Sequence, residues 1–210
     1  MENAVIKQLQ QTRVVPLVQA DDPETAIAIS KALIEGGLSV LEVVLRTEAA
    51  LHCLGEVVKM FPDAAVGAGT VLSADQSRDV IACGAKFIVS PGLDETSVSV
   101  AQSHNIPIFP GIATPSELQR AHNMGLRTVK FFPAGLAGGS KMLKAFSSVF
   151  RDMQFMPTGG VSAENLTEFL DIQSVIACGG SWLTPQSAIK NGDFAAITKL
   201  AKDAVAIASN

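Results

Sequence analysis

Short apolar runs rich in β-branched residues recur along the chain, and each is followed by a stretch whose apolar positions return with helical period. The runs begin at about Val14, Val40, Ala65, Phe87, Ile106, Thr128, Gln154 and Ser174. Their spacing of roughly 19 to 26 residues leaves room for one strand, one helix and two short connections in each interval. Capping residues mark the helix starts: Asp22 before Pro23, Ser73 with Gln76 three residues on, and Thr114, Pro115 and Glu117 as a capping box. Gly36, Gly84 and Gly125 stand where helices should stop.

Strict alternation of this kind implies a parallel sheet covered by helices, with strands that read as nearly continuous apolar runs because both faces are buried. Eight units predict closure into a (β/α)8 TIM barrel over residues 14–210. Residues 1–12 then form an extra N-terminal helix closing the bottom, and 1–210 is one domain. An open doubly wound sheet is the alternative. It lacks its G-x-G-x-x-G fingerprint, since Gly67 and Gly69 are followed by Thr70, Val71 and Leu72.

Composition narrows the function. With 210 residues, 48% hydrophobic and 17% charged, the chain can bury one substantial core and is short for two. A net charge of -4 with 16 scattered Lys and Arg supplies no basic field, which argues against nucleic acid as a partner. No apolar stretch approaches the roughly 18 residues of a membrane span and the N-terminus lacks a signal pattern, so a cytoplasmic protein with no membrane partner is expected. Cys53, Cys83 and Cys178 are isolated from one another and read as core fillers, suggesting neither a disulfide nor a zinc site. His52, His104 and His122 fall in predicted helices on or near polar faces. A metal would need carboxylates alone, and Glu42 is the one acid well inside a predicted strand, so no metal is expected.

Two residues break the apolar pattern: Lys130 within Thr128, Val129, Lys130, Phe131, Phe132, Pro133, and Glu42 within Val40, Leu41, Glu42, Val43, Val44, Leu45, Arg46. Alternation puts Glu42 and Arg46 on the face of Val40 and Val44, and Lys130 on the face of Thr128 and Phe132. If both faces point inward, amine and carboxyl meet inside the barrel, near the strand ends where barrel enzymes keep their active sites. One reading is a buried ion pair, a weak contributor to stability because desolvation offsets much of the attraction. The other is a nucleophilic lysine, which needs its free amine, with a carboxyl partner. Arg46 at the tip of strand 2 offers a planar fork for a carboxylate, and Thr70 at the tip of strand 3 offers a hydroxyl. Taken alone, Arg46 is a rim cation and Thr70 the entry to a turn. After strands 7 and 8 come Thr158, Gly159, Gly160, Val161, Ser162 and then Gly179, Gly180, Ser181, glycine loops that either make tight turns or let backbone N–H groups approach a phosphate.

The segments VLEVVLRT (40–47), VGAGTVL (66–72), SPGL (90–93), KFFPA (130–134), PTGGV (157–161) and GGSWL (179–183), in this order, make the chain resemble the 2-keto-3-deoxy-6-phosphogluconate (KDPG) aldolases, which often also act as 4-hydroxy-2-oxoglutarate (KHG) aldolases. The resemblance covers nearly the whole chain. It implies a cofactor-free class I aldolase of the Entner–Doudoroff pathway, usually a homotrimer of barrels. Such an enzyme cuts a phosphorylated 2-oxo acid into pyruvate and glyceraldehyde 3-phosphate. By the same resemblance Lys130 is the Schiff-base residue and Glu42 the acid/base. Arg46 and Thr70 form the carboxylate clamp, Pro91 and Phe132 line the pocket, and Gly159, Gly160, Gly180 and Ser181 take the phosphate. Val44, where a threonine is often seen, and Gln19, which ends a first strand that is usually more apolar, are the departures. Read from the residues alone, a metal-free sugar-phosphate isomerase or epimerase and a non-catalytic phosphometabolite-binding barrel stay open.

Overall fold

The structure is a computed structural model and describes residues 4–209. Among the described residues there are nine strand segments and ten helices, in near-regular alternation. The strands are β1 (Val14–Val18), β2 (Val40–Val44), β3 (Ala65–Gly69), β4 (Ile88–Val89), β5 (Ile108–Phe109), β6 (Gly111–Ile112), β7 (Thr128–Phe131), β8 (Gln154–Pro157) and β9 (Cys178–Gly180). The helices are α1 (Ala4–Thr12), α2 (Pro23–Glu35), α3 (Ala50–Met60), α4 (Ala74–Ala82), α5 (Glu95–Ser103), α6 (Pro115–Asn123), α7 (Gly139–Val149), α8 (Leu166–Leu170), α9 (Gln186–Lys190) and α10 (Phe194–Ala208). Six strands pair in the order β5-β4-β3-β2-β1-β9 and three in the order β6-β7-β8. Every ladder is parallel, so this is an α/β fold with its parallel strands in a curled sheet.

The sheet is buried on both faces, as its apolar strands require. The outward side chains, among them Val14, Val18, Leu41, Val43, Val66, Ile88, Val129 and Phe131, pack in one cluster with the helices. The inward ones, Val15, Val40, Ala65, Phe87, Val89, Phe109 and Met156, form a second cluster, which also contains Val5 and Leu9 of α1. Because Val15, Val40 and Ala65 stand at the beginnings of their strands, α1 covers the N-terminal end of the sheet. The sequence assigns that helix to residues 1–12, and its first three residues lie outside the described ones.

Most predicted boundaries hold. Asp22 accepts the Thr25 N–H, Ser73 accepts the Gln76 N–H, and Thr114 and Glu117 form a reciprocal capping box. Two details differ. The fifth run, expected from Ile106, is two short strands split at Pro110, which has no N–H to give to a ladder, although its carbonyl still accepts the Lys130 N–H. The eighth, expected from Ser174, becomes a strand only at Cys178, with Val175 making a single bridge to Phe155. Gly36 caps α2 where its stop is expected; it is right-handed and is glycine for space, since a Cβ there would lie 2.3 Å from the Cβ of Ala201 in α10, and Gly37 (φ +96°) takes the left-handed conformation.

Cys53 and Cys178 are buried, Cys83 is only half-buried, and all three are free. No helix among the described residues is long and apolar enough to cross a membrane.

Leu9 is fully buried in the inward cluster. Leu9→Ala is expected to lower unfolding free energy by about 2–5 kcal/mol, measured by denaturant titration, because the void it leaves is walled by strands that cannot collapse into it.

Candidate active site

The two unexpected residues stand on strands of different sheets, yet their side chains meet. Glu42 pairs with Leu17 on one side and Gly67 on the other; Lys130 pairs with Gly111 and Met156. Met156 and Val40 point inward, so by alternation Glu42 and Lys130 do as well. Lys130 Nζ lies 3.9 Å from Glu42 Oε1, with the two side chains 3% and 0% exposed. At that separation they attract without a direct hydrogen bond. Both Glu42 oxygens lack a hydrogen-bond partner among the described residues. A buried carboxyl with neither oxygen satisfied is costly in a merely structural role, and it is the state in which a carboxyl can bond to a substrate hydroxyl.

Glycines create the space. A Cβ on Gly69 would come 2.1 Å from Glu42 Oε1, and one on Gly67 would come 2.5 Å from the Phe87 ring that floors this layer. Lys130 has no side chain beside it on β6, because a Cβ on Gly111 would meet the Pro91 carbonyl oxygen at 2.1 Å. That contact brings Pro91 to the strand next to Lys130, in a turn held by the Ser90 hydroxyl donating to the Gly92 carbonyl at 2.7 Å. Above the amine, the Phe132 ring centroid is 4.9 Å from Lys130 Nζ.

The rim carries the pair expected to grip a carboxylate. Arg46 is exposed, and its Nε donates to Thr70 Oγ1 at 3.0 Å. Thr70 holds φ +58°, a left-handed conformation that a β-branched residue adopts only under strain, and it follows directly on Gly69. Elsewhere on the rim, the bridge between Thr158 and Gly179 sets the loops after β8 and β9 side by side. Gly159 and Gly160 have φ of +85° and +82° and need to be glycine for their backbone. Gly179 and Gly180 are glycine for packing, since a Cβ would strike Thr158 Oγ1 or the Trp182 ring, both at 2.2 Å. Ser181 is exposed beside them.

Other reactive groups are otherwise engaged. Burial pushes the Cys178 thiol up to about 12, which keeps it protonated. Glu117 accepts the Ala113 and Thr114 N–H groups, and these bonds hold its carboxyl below the usual range while fixing the loop after β6. His52 and His104 are exposed, and His122 bonds to Asp152 at 3.0 Å. A groove of about 760 Å³ lined by Arg127, Arg151, Asp152 and Gln154 lies at the beginnings of β7 and β8, away from Lys130 and Glu42. Among the described residues, no three His, Cys, Asp or Glu side chains are grouped so as to hold a metal ion.

A family model described as KDPG and KHG aldolase matches residues 5–200. The chain belongs to this aldolase family. The KHG/KDPG aldolase of Escherichia coli K12 is 46% identical over 192 residues, covering 91% of this chain and 90% of the relative. The 2-dehydro-3-deoxy-phosphogluconate aldolase of Treponema pallidum is 39% identical over 97% of both chains. Among solved structures, the KDPG aldolase of Legionella pneumophila, with pyruvate captured as a covalent carbinolamine intermediate, superposes with a TM-score of 0.91. It has 42% identity and covers 94% of this chain and 96% of that one. Thiamine phosphate pyrophosphorylase of Pyrococcus furiosus, 15% identical with a TM-score of 0.68, shares the fold alone.

The structure brings together Lys130 and Glu42, Arg46 and Thr70, and sets Phe132 and Pro91 near Lys130, all residues that the sequence singles out; the small residues that make room for them are not legible there. Gly69 and Gly111 work as absences of a side chain, signalled only by glycine inside a strand. Thr158, buried just past the end of β8, reads in the sequence only as part of a glycine loop. Asn165, whose bonds run to Gly160 and Ser162, carries no signal in the sequence.

Two substitutions test this geometry. Gly69→Ala is expected to displace the Glu42 carboxyl and cut turnover by about 10²-fold or more with the protein still folded, measured by steady-state kinetics beside circular dichroism. Thr70→Asn, which suits a left-handed residue, is expected to raise stability by about 1 kcal/mol in thermal unfolding.

Proposed function

We propose that this chain is a class I aldolase that cleaves 2-dehydro-3-deoxy-6-phosphogluconate to pyruvate and glyceraldehyde 3-phosphate, and 4-hydroxy-2-oxoglutarate to pyruvate and glyoxylate. The observation that carries this reading is the buried amine of Lys130 beside the unpartnered carboxyl of Glu42. The family supports it, as does the carbinolamine in the Legionella relative.

The chemistry follows from the positions. Lys130 Nζ adds to the C2 carbonyl and water leaves, giving a protonated imine. Glu42 takes the C4 hydroxyl proton, the C3–C4 bond breaks with its electron pair moving into the imine, and the aldehyde departs. The same carboxyl returns the proton to C3 of the resulting enamine. Water hydrolyses the imine and releases pyruvate. Arg46 and Thr70 hold the substrate carboxylate, Pro91 and Phe132 wall the pyruvyl group, and the loops of Gly159, Gly160, Gly180 and Ser181 receive the phosphate. None of these steps calls for a cofactor.

The two sheets are read as one (β/α)8 barrel. β5 and β6 form a single strand bent at Pro110, and the bridges from Phe155 to Val175 and from Thr158 to Gly179 link β8 to β9. The chain is then a single domain, 1–210, with α1 under its floor. A homotrimer in the cytoplasm fits a metabolic aldolase. An oligomer is supported by a structurally similar chain, 27% identical, in a cage designed by fusing symmetric oligomeric domains.

Treatment with pyruvate and borohydride is expected to add a reduced pyruvate adduct at Lys130, located by peptide mass spectrometry. Lys130→Ala should give none. Glu42→Gln should still be trapped, yet turn over about 10²–10⁴-fold more slowly in a coupled pyruvate assay. No adduct on the wild type, or an adduct at another lysine, overturns the mechanism. An isomerase using Glu42 as base would show turnover without trapping.

A further inference from the structure

The loop after β8 is fastened by one side chain. Asn165 Oδ1 accepts the Ser162 N–H at 2.8 Å and Asn165 Nδ2 donates to the Gly160 carbonyl at 2.8 Å. The backbone N–H of Asn165 also donates to the Ser162 carbonyl at 3.3 Å. Gly159 and Gly160, consecutive left-handed glycines, have no side chains of their own to hold that shape. It is held from two sides. Gly135 donates its N–H to the Gly159 carbonyl at 2.9 Å and packs within 3.1 Å of where a Gly160 Cβ would be; Asn165 holds the other side.

We propose that Asn165 is a positioning residue for the phosphate of the substrate, an inference that rests on reading this loop as the phosphate end. A trans peptide carries its carbonyl and its N–H on opposite edges. Anchoring the Gly160 carbonyl on Asn165 therefore turns the Val161 N–H away from Asn165 and fixes it there. The Ser162 N–H is consumed by the same carboxamide, so the loop offers an anion the amides ahead of Ser162. The order this imposes is present before substrate arrives, and the energy of phosphate contact is not spent on ordering two glycines. Asn165 makes no hydrogen bond to Lys130 or Glu42, so its effect is confined to the phosphate end.

The test compares Asn165→Ala with wild type on the phosphorylated substrate and on 4-hydroxy-2-oxoglutarate, with inorganic phosphate as an inhibitor. The KM for the phosphorylated substrate is expected to rise about tenfold, the equivalent of one lost charge-assisted hydrogen bond, and inhibition by phosphate to weaken in step. The kcat, the constants for 4-hydroxy-2-oxoglutarate and the pyruvate adduct at Lys130 should stay within about twofold of wild type. Asn165→Leu, similar in size and unable to make either bond, should behave alike. Equal losses on both substrates, an unchanged KM in a folded variant, or failure of both variants to fold would each assign the bonds to stability and overturn the proposal. If the wild type itself neither prefers the phosphorylated substrate nor is inhibited by phosphate, it is the phosphate reading that fails, whatever Asn165 does.

Discussion

Placing an amine and a carboxyl 3.9 Å apart above the apolar floor on the inward side of the sheet is the constraint to which the remaining features answer. Burial taxes both charges, and their mutual attraction repays little of that cost once desolvation is counted. The stability must come from elsewhere: from the cluster between strands and helices, and from the apolar floor of Phe87, Phe109 and Met156 closed by Leu9. The site sits one layer above that floor, where the sheet is rigid enough to hold Lys130 and Glu42 in place. Neither oxygen of Glu42 is committed to another group among the described residues, so the carboxyl remains available for proton transfer.

Room for such a site inside a packed sheet is made by omission. Gly69 leaves space for the Glu42 carboxyl, Gly67 for the Phe87 ring, Gly111 for the approach of Pro91, and Gly179 for Thr158. Interiors are close-packed, so a single added methyl at any of these positions meets an atom it cannot displace cheaply. The rim follows another logic, with backbone conformations that are strained or soft and are held by neighbours. Thr70 is left-handed with its hydroxyl bonded to Arg46, and Gly159 and Gly160 are left-handed between Gly135 and Asn165. A packed interior that holds an amine beside a carboxyl, under a rim braced by neighbours, is consistent with an aldolase acting on a phosphorylated 2-oxo acid.

The alternation of apolar strands and capped helices was legible because it arises from local rules: period, caps and terminating glycines. Lys130 and Glu42 were legible for the opposite reason, as polar residues where those rules demand apolar ones. The break at Pro110 and the late start of β9 were harder to read, because strand pairing depends on partners distant in sequence. The glycines of the interior escaped functional reading, since a missing side chain shows its purpose only when the neighbour that fills the space is known.

By itself the sequence determined the βα alternation, the residues that share a face of each central strand, and the lysine and glutamate that interrupt two apolar runs. The motifs pointed to the aldolase family as well. Only the tertiary structure decided that amine and carboxyl stand 3.9 Å apart, that Arg46 bonds Thr70, and that Asn165 holds the loop of Gly160. Periodicity and capping are properties of a single segment, whereas a distance across the sheet depends on the register of several strands and on side-chain volumes that no one segment contains.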